Sequence, residues 1–179
     1  MARPKREFVF NVGVFGIPAK IDADGIVRIK VNVRTDQEAQ RKLAKLDPTS
    51  TVLLVDCPGG AVGNQDKGID DAALAREIAE ETGGCTITPR GEFRLPFDLK
   101  PKEDGTPGDL AYWKPVVLHG EPKPSNEALD HPWVTRAELE AATKYRAISG
   151  LGLAGRTGKM MVAAFDFYEA NKDKPELFS

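Results

Sequence analysis

The run Ala73-Leu74-Ala75-Arg76-Glu77-Ile78-Ala79-Glu80-Glu81-Thr82-Gly83, with Pro58-Gly59-Gly60 upstream of it, decides how this chain reads. Leu74, Ile78 and the intervening alanines supply the apolar side of a helix; Asp70 or Asp71 can cap its start, and Gly83-Gly84 provides a left-handed stop. The helix carries Glu77, Glu80 and Glu81 at i, i+3 and i+4, on one side. Locally this is unfavourable. Glu77 and Glu81 form a like-charge i, i+4 pair, and all three carboxylates sit against the negative end of the helix dipole, each effect costing about a few tenths of a kcal/mol at an exposed site. Arg76, four residues before Glu80, offsets part of the surplus charge. The remainder suits a hard divalent cation with oxygen ligands, Mg²⁺ or Mn²⁺. A solvated acidic face is the plainer reading of the glutamates taken alone, so the residues around them carry the decision.

Upstream, residues 58–68 hold four glycines and a proline with Asn64, Gln65 and Asp66 among them, which predicts loop rather than regular structure. A buried strand is expected at 51–55. Phe8, Phe10, Val12, Val14 and Phe15 approximate period two over residues 8–19, Asp22-Ala23-Asp24-Gly25 supplies a turn, and 26–33 alternates again, so a β-hairpin opens the chain. Residues 35–46 read as a short surface helix stopped by Asp47-Pro48. Downstream come short strands at 85–87 and 93–95, a loop at 100–108 suited to a lid or specificity loop, and a strand at 112–119. Trp133-Val134-Thr135 reads as a strand end or cap, followed by a short helix at 136–143 and an amphipathic helix at 160–171. Strands and helices mixed without βαβ order favour a mixed sheet flanked by helices, in one domain over residues 1–179.

Basic and acidic residues number 25 and 27, a net charge of -2, so no global field favours nucleic acid or an anionic membrane, and neither is expected as a partner. Cys57 and Cys85 lack C-x-x-C spacing and clustered histidines, which argues against a zinc site or disulfide framework and for reduced thiols. The basic residues at 1–6 are followed by a stretch broken by Asn11, glycines and a proline, no later run is apolar enough to span a bilayer, and the protein is expected to be cytoplasmic. His119 and His131 have no recognisable partner in sequence and are expected in edge-strand or loop roles.

The string as a whole resembles the Nudix box, G-x5-E-x7-R-E-U-x-E-E-x-G-U with U aliphatic. Arg76-Glu77, Ile78, Glu80-Glu81 and Gly83 match its second half without a gap. Gly60 matches the opening glycine if the loop carries two extra residues; the first glutamate falls on Gly68, with Asp66 and Asp70 nearby, and the final aliphatic position is Gly84. The segment His131-Pro132-Trp133-Val134-Thr135-Arg136-Ala137-Glu138-Leu139 looks like the family's tryptophan strand and following helix. This resemblance implies a Nudix-like α/β/α sandwich with a mixed β-sheet flanked by helices. It further implies Mg²⁺-dependent cleavage, with Mn²⁺ as an alternative, of a pyrophosphate bond in a nucleoside diphosphate-linked or nucleoside triphosphate substrate. Glu77, Glu80 and Glu81 would hold the metal with the Gly60 carbonyl, and Arg76 would orient a glutamate.

The general base is Glu80 or Glu81 acting through metal, or a loop residue, for which Glu127 in Lys123-Pro124-Ser125-Asn126-Glu127 is the candidate. Phe10, Phe15, Tyr112 and Trp113 are candidate stacking surfaces, and the basic residues of 100–108 and 146–159 are candidates to meet phosphate. A homodimer is compatible with this reading. Gly68 and the lengthened loop at 60–68 also motivate an alternative, a Nudix-fold protein that binds a nucleotide without hydrolysing it.

Overall fold

The computed structural model describes residues 11–34, 51–63, 70–95, 109–148 and 152–179. The helix expected at 35–46, the loop at 100–108, and Phe8, Phe10, Asp66 and Gly68 lie outside the described residues.

The first alternating run forms β1 (Asn11–Ile21). Its turn is closed by Asp22, whose carboxylate accepts the N–H groups of Asp24 and Ile26 and the Arg28 Nε–H. β2 (Val27–Lys30) therefore returns antiparallel, with Ala19 opposite Ile29. The run expected to continue to 33 is divided. Val31 donates its N–H to the Pro132 carbonyl at 3.1 Å, and the chain then leaves the first sheet as β3 (Asn32–Arg34), which pairs with β4 (Leu53–Asp56) in a second sheet.

The segment predicted to be loop after Cys57 is corrected at one point: β5 (Gly59–Ala61) is a short strand antiparallel to β1, with Gly60 opposite Val14. Glycines allow that approach. Gly59 has φ +137°, and a Cβ there would collide with the Val14 carbonyl oxygen.

The glutamate-bearing helix is α1 (Asp70–Glu81). Asp70 and Asp71 lie inside its first turn, where they complement the dipole, and Lys114 donates to Asp71 at 2.7 Å. Ala73, Leu74 and Ile78 pack on Val14 of β1 and on Val116. The expected stop is present, with Gly83 at φ +68° and the Gly84 N–H bonded to the Ala79 carbonyl. β6 (Thr86–Pro89) pairs antiparallel with β7 (Asp109–His119), which runs parallel to β1, and the strand expected at 93–95 reduces to one bridge between Arg94 and Trp113.

Two three-residue strands went unforeseen, β8 (Ala128–Asp130), which pairs with β3, and β10 (Tyr145–Ala147), which pairs parallel with β4. Between them lie β9 (Trp133–Thr135), paired with β2, and α2 (Arg136–Ala141). Thr135 and Glu138 form a reciprocal capping box that fixes where α2 starts. α3 (Arg156–Ala170) starts earlier than the apolar pattern indicated.

Alternation along β1 sets the layers. Val14 meets α1, while Ile17 and Ala19 belong to the cluster that holds Met160, Met161, Ala164, Phe165 and Tyr168 of α3. Mixed sheets thus lie between α1 on one face and α3 on the other, the α/β/α sandwich. Tyr168 is fully buried and donates its hydroxyl to the Ile17 carbonyl at 2.5 Å. Tyr168→Phe is expected to cost about 1–3 kcal/mol, lowering Tm by roughly 2–4 °C per kcal/mol, and to leave turnover unchanged; a thermal melt and one rate measurement check this. Among the described residues no helix is long and apolar enough to cross a membrane.

Candidate functional site

Glu81 closes α1 and turns inward, 1% exposed. Its Oε2 accepts the Gly59 N–H at 2.8 Å and the Asn32 Nδ2–H at 2.9 Å, and its Oε1 lies 3.5 Å from Arg34 Nη1. Burial nevertheless raises its pKa to about 8, with Asp56 pushing the same way against Gly59, Arg34 and Asn32. Carboxylates held in this manner are typical of sites that await charge compensation.

One turn earlier, Glu77 is pressed against Gly60, so closely that a Cβ on Gly60 would overlap the Glu77 carboxylate. Burial raises the pKa of Glu77; the hydrogen bond and charge of Arg76 oppose this, and the charges of Glu80 and Glu127 add to it. Gly59 and Gly60 are therefore a common floor under both carboxylates. Gly60→Ala is expected to displace only the flexible end of Glu77, leaving Tm within about 1 kcal/mol equivalent while turnover of a pyrophosphate substrate falls at least about tenfold.

Glu80 departs from the predicted convergence. Its side chain is 53% exposed and sits 3.3 Å from Arg76 Nη1, because i+3 places it partly around the helix from the i and i+4 positions. Arg76 also contacts Glu77 at 2.8 Å and donates to the Ala61 carbonyl at 3.2 Å, tying α1 to β5. Arg76 thus lies against both Glu77 and Glu80. Among the described residues no group of three or more His, Cys, Asp or Glu side chains is arranged to hold a metal ion, so Glu77 and Glu81 share a wall while Glu80 faces Arg76.

Gly60 was expected to offer its carbonyl. The Gly16 N–H bonds to the Pro58 carbonyl and the Val62 N–H to the Val12 carbonyl, both at 2.9 Å, on either side of the Val14–Gly60 pair. That pair is then of the hydrogen-bonding type, leaving the Gly60 oxygen one further lone pair. Glu127 is exposed in the loop before β8, its N–H on Ser125 Oγ at 3.1 Å, and near enough to Glu77 for its charge to act there.

A cavity of about 220 Å³ beside the glycine floor is lined by Phe15, Gly60, Ala61 and Arg156, among others. Of the predicted stacking aromatics, Phe15 lines it, whereas Trp113 is core, in edge contact with Phe167 at 5.8 Å between ring centroids. His119, exposed at the C-terminal end of β7, pairs with Thr88 Oγ1 at 2.7 Å. His131 lies in the loop between β8 and β9, as expected, but has a buried partner the sequence did not show: it is 6% exposed, with Nδ1 2.8 Å from Asn32 Oδ1 and Nε2 3.1 Å from the Lys123 carbonyl. Asn32 between Val31 and Val33, a lone amide in an apolar run, was the legible sign of a buried polar contact.

An α/β/α sandwich with a carboxylate-bearing helix seated over a paired-glycine strand defines the class of architecture. That architecture is the Nudix fold. A NUDIX hydrolase from Nitrosomonas europaea superposes with TM-score 0.55 at 16% identity, covering 90% of each chain. An ADP-ribose pyrophosphatase from Streptococcus suis gives 0.53 at 16% identity over 89% of this chain and 92% of its own. The NUDIX domain of Shewanella oneidensis NrtR, complexed with ADP ribose, gives 0.51 at 11% identity over 95% and 94%. No protein-family model and no curated protein matches the sequence.

Proposed function

We propose that this chain is a divalent-metal-dependent hydrolase of a pyrophosphate bond in a nucleoside diphosphate-linked or nucleoside triphosphate substrate, acting as one cytoplasmic domain over residues 1–179. One observation carries the reading: Glu77 and Glu81 are held side by side on the Gly59-Gly60 floor although burial opposes the charge of both. Their donor atoms are hard oxygens with surplus negative charge, which fits Mg²⁺, or Mn²⁺ in its place. Glu77 and Glu81 would hold the metal with the spare lone pair of Gly60, and Glu80 would join by leaving Arg76, a movement its exposure allows. Bound there, the ion would neutralise charge building on the phosphoryl oxygens and acidify a water.

The remaining roles belong to the chain itself. Glu127 would accept the proton of the attacking water from the open side. Phe15 would stack on the nucleotide base, and Arg156, in the same cavity, would meet phosphate. The names of the Streptococcus suis and Shewanella oneidensis proteins support an ADP-ribose-like compound as the first substrate to try. Glu127→Gln is expected to lower kcat about 10²-fold or more with little change in Mn²⁺ affinity; an unchanged kcat would return the base to the α1 glutamates.

A second reading, nucleotide binding without hydrolysis, is favoured by the protein partners already on both Glu81 oxygens and by the Arg76–Glu80 contact. Product release from candidate substrates with Mg²⁺, set against EDTA, separates the two: metal-dependent cleavage supports the first, and saturable binding without cleavage supports the second.

A further inference from the structure

Behind the glutamate wall runs a closed ring of polar contacts that the proposed reaction does not use. Asn32, fully buried on β3, donates Nδ2–H to Glu81 Oε2 at 2.9 Å and presents Oδ1 to His131 Nδ1 at 2.8 Å. His131 Nε2 meets the Lys123 carbonyl at 3.1 Å, and the Lys123 N–H bonds to the carbonyl of Thr82, the residue after Glu81, at 2.9 Å. Lys30 Nζ fixes the backbone of the same histidine through the His131 carbonyl at 3.0 Å.

The direction of each bond follows from the ionised carboxylate that a divalent cation requires. An amide has one donating and one accepting end, and only its donating end can face an ionised Glu81. Oδ1 must then point at His131 and accept from Nδ1–H; the Lys123 carbonyl at Nε2 is an acceptor as well, so both ring contacts are satisfied together only when both nitrogens carry protons. Reversing Asn32 would set its oxygen against the ionised Glu81 Oε2, a repulsion that is large in a dry interior. Groups that hydrogen-bond to metal-holding carboxylates orient them, and their removal commonly weakens metal binding about 10–100-fold.

The geometry points to Asn32 and His131 as positioning residues that lock the Glu81 carboxylate in the ionised orientation that receives a divalent cation, an inference that rests on the metal-dependent reading above. His131 acts through Asn32, whose amide bridges the ring to Glu81.

The probe is Mn²⁺ alone, its free concentration read by electron paramagnetic resonance in a titration of the whole protein, with a thermal melt of each variant in parallel. Asn32→Ala and His131→Leu are expected to weaken Mn²⁺ binding about tenfold or more, and the double variant to be no weaker than Asn32→Ala within about twofold, because the two act in series. His131→Asn keeps a donor where Nδ1 stood and is expected to stay within about threefold of wild type; His131→Gln, whose amide falls nearer the position of Nε2, is expected to behave as His131→Leu. This last comparison decides the matter alone if Asn32→Ala does not fold. Equal affinities for His131→Asn and His131→Gln, or wild-type affinity in Asn32→Ala, would overturn the inference and leave the metal-dependent reading standing. A wild-type protein that binds no Mn²⁺ would overturn both.

Discussion

Glu81→Gln is expected to cut turnover at least about tenfold and, with metal removed, to make the protein more stable at alkaline pH. The carboxyl is 1% exposed and its pKa is pushed from an ordinary 4.5 to about 8. A raised acid binds its proton more tightly in the folded state. Its contribution is therefore most favourable below about 4.5, declines as pH rises toward about 8, and is flat above. The loss at the alkaline end is on the order of a few kcal/mol, and each kcal/mol moves Tm by roughly 2–4 °C in a domain of this size. Glutamine removes that dependence, so in EDTA the variant should melt several degrees higher than wild type at pH 8.5 and close to it at pH 4.5. Asp56, also raised by burial, leaves a residual slope in both proteins. Matching melts across the whole range would show that Glu81 carries no buried charge.

Gly59→Ala is expected to produce the largest loss of stability of any single change discussed. At φ +137° the added Cβ meets the Val14 carbonyl oxygen and lies 2.7 Å from Phe15 Cα, both backbone atoms with no rotamer to yield. β5 would have to leave β1, taking with it the Gly59 N–H that Glu81 accepts. The expected cost is about 3 kcal/mol or more, read as a lower denaturation midpoint or loss of folded protein. Gly60→Ala, one residue away, meets a side-chain carboxylate instead and should fold. Comparable melts for the two variants would contradict the separate roles given to the glycines.

What the sequence disclosed was local. The stripe of Ala73, Leu74 and Ile78 with Gly83-Gly84 after it specifies α1 and its end, Asp22 specifies the β1–β2 turn, and Thr135 with Glu138 specifies the start of α2, since each signal acts within a few residues. β5, β8 and β10 are three-residue strands that exist only because β1, β3 and β4 offer them edges, and no pattern that short announces a strand. The break at Val31 depends on the distant Pro132 carbonyl.

The site divides in the same way. Glu77 and Glu81 share a face because i and i+4 do so in any helix. Glu80 had two local partners in competition, and its approach to Arg76 emerged only in the folded chain. The proximity of Glu127 to Glu77 followed from the family resemblance, whereas the contact of His131 with Asn32 spans 99 positions and had no sequence signal beyond a lone amide among valines.

The central claim is metal-dependent cleavage, and its most direct test is the release of nucleotide and phosphate products from ADP-ribose-like, dinucleotide and nucleoside triphosphate compounds with Mg²⁺, with Mn²⁺ and with EDTA. The account predicts cleavage of at least one compound with metal, none with EDTA, and a rate at least about tenfold lower for Glu81→Gln. Cleavage that persists in EDTA, or no cleavage of any compound by a protein that binds them, would contradict it.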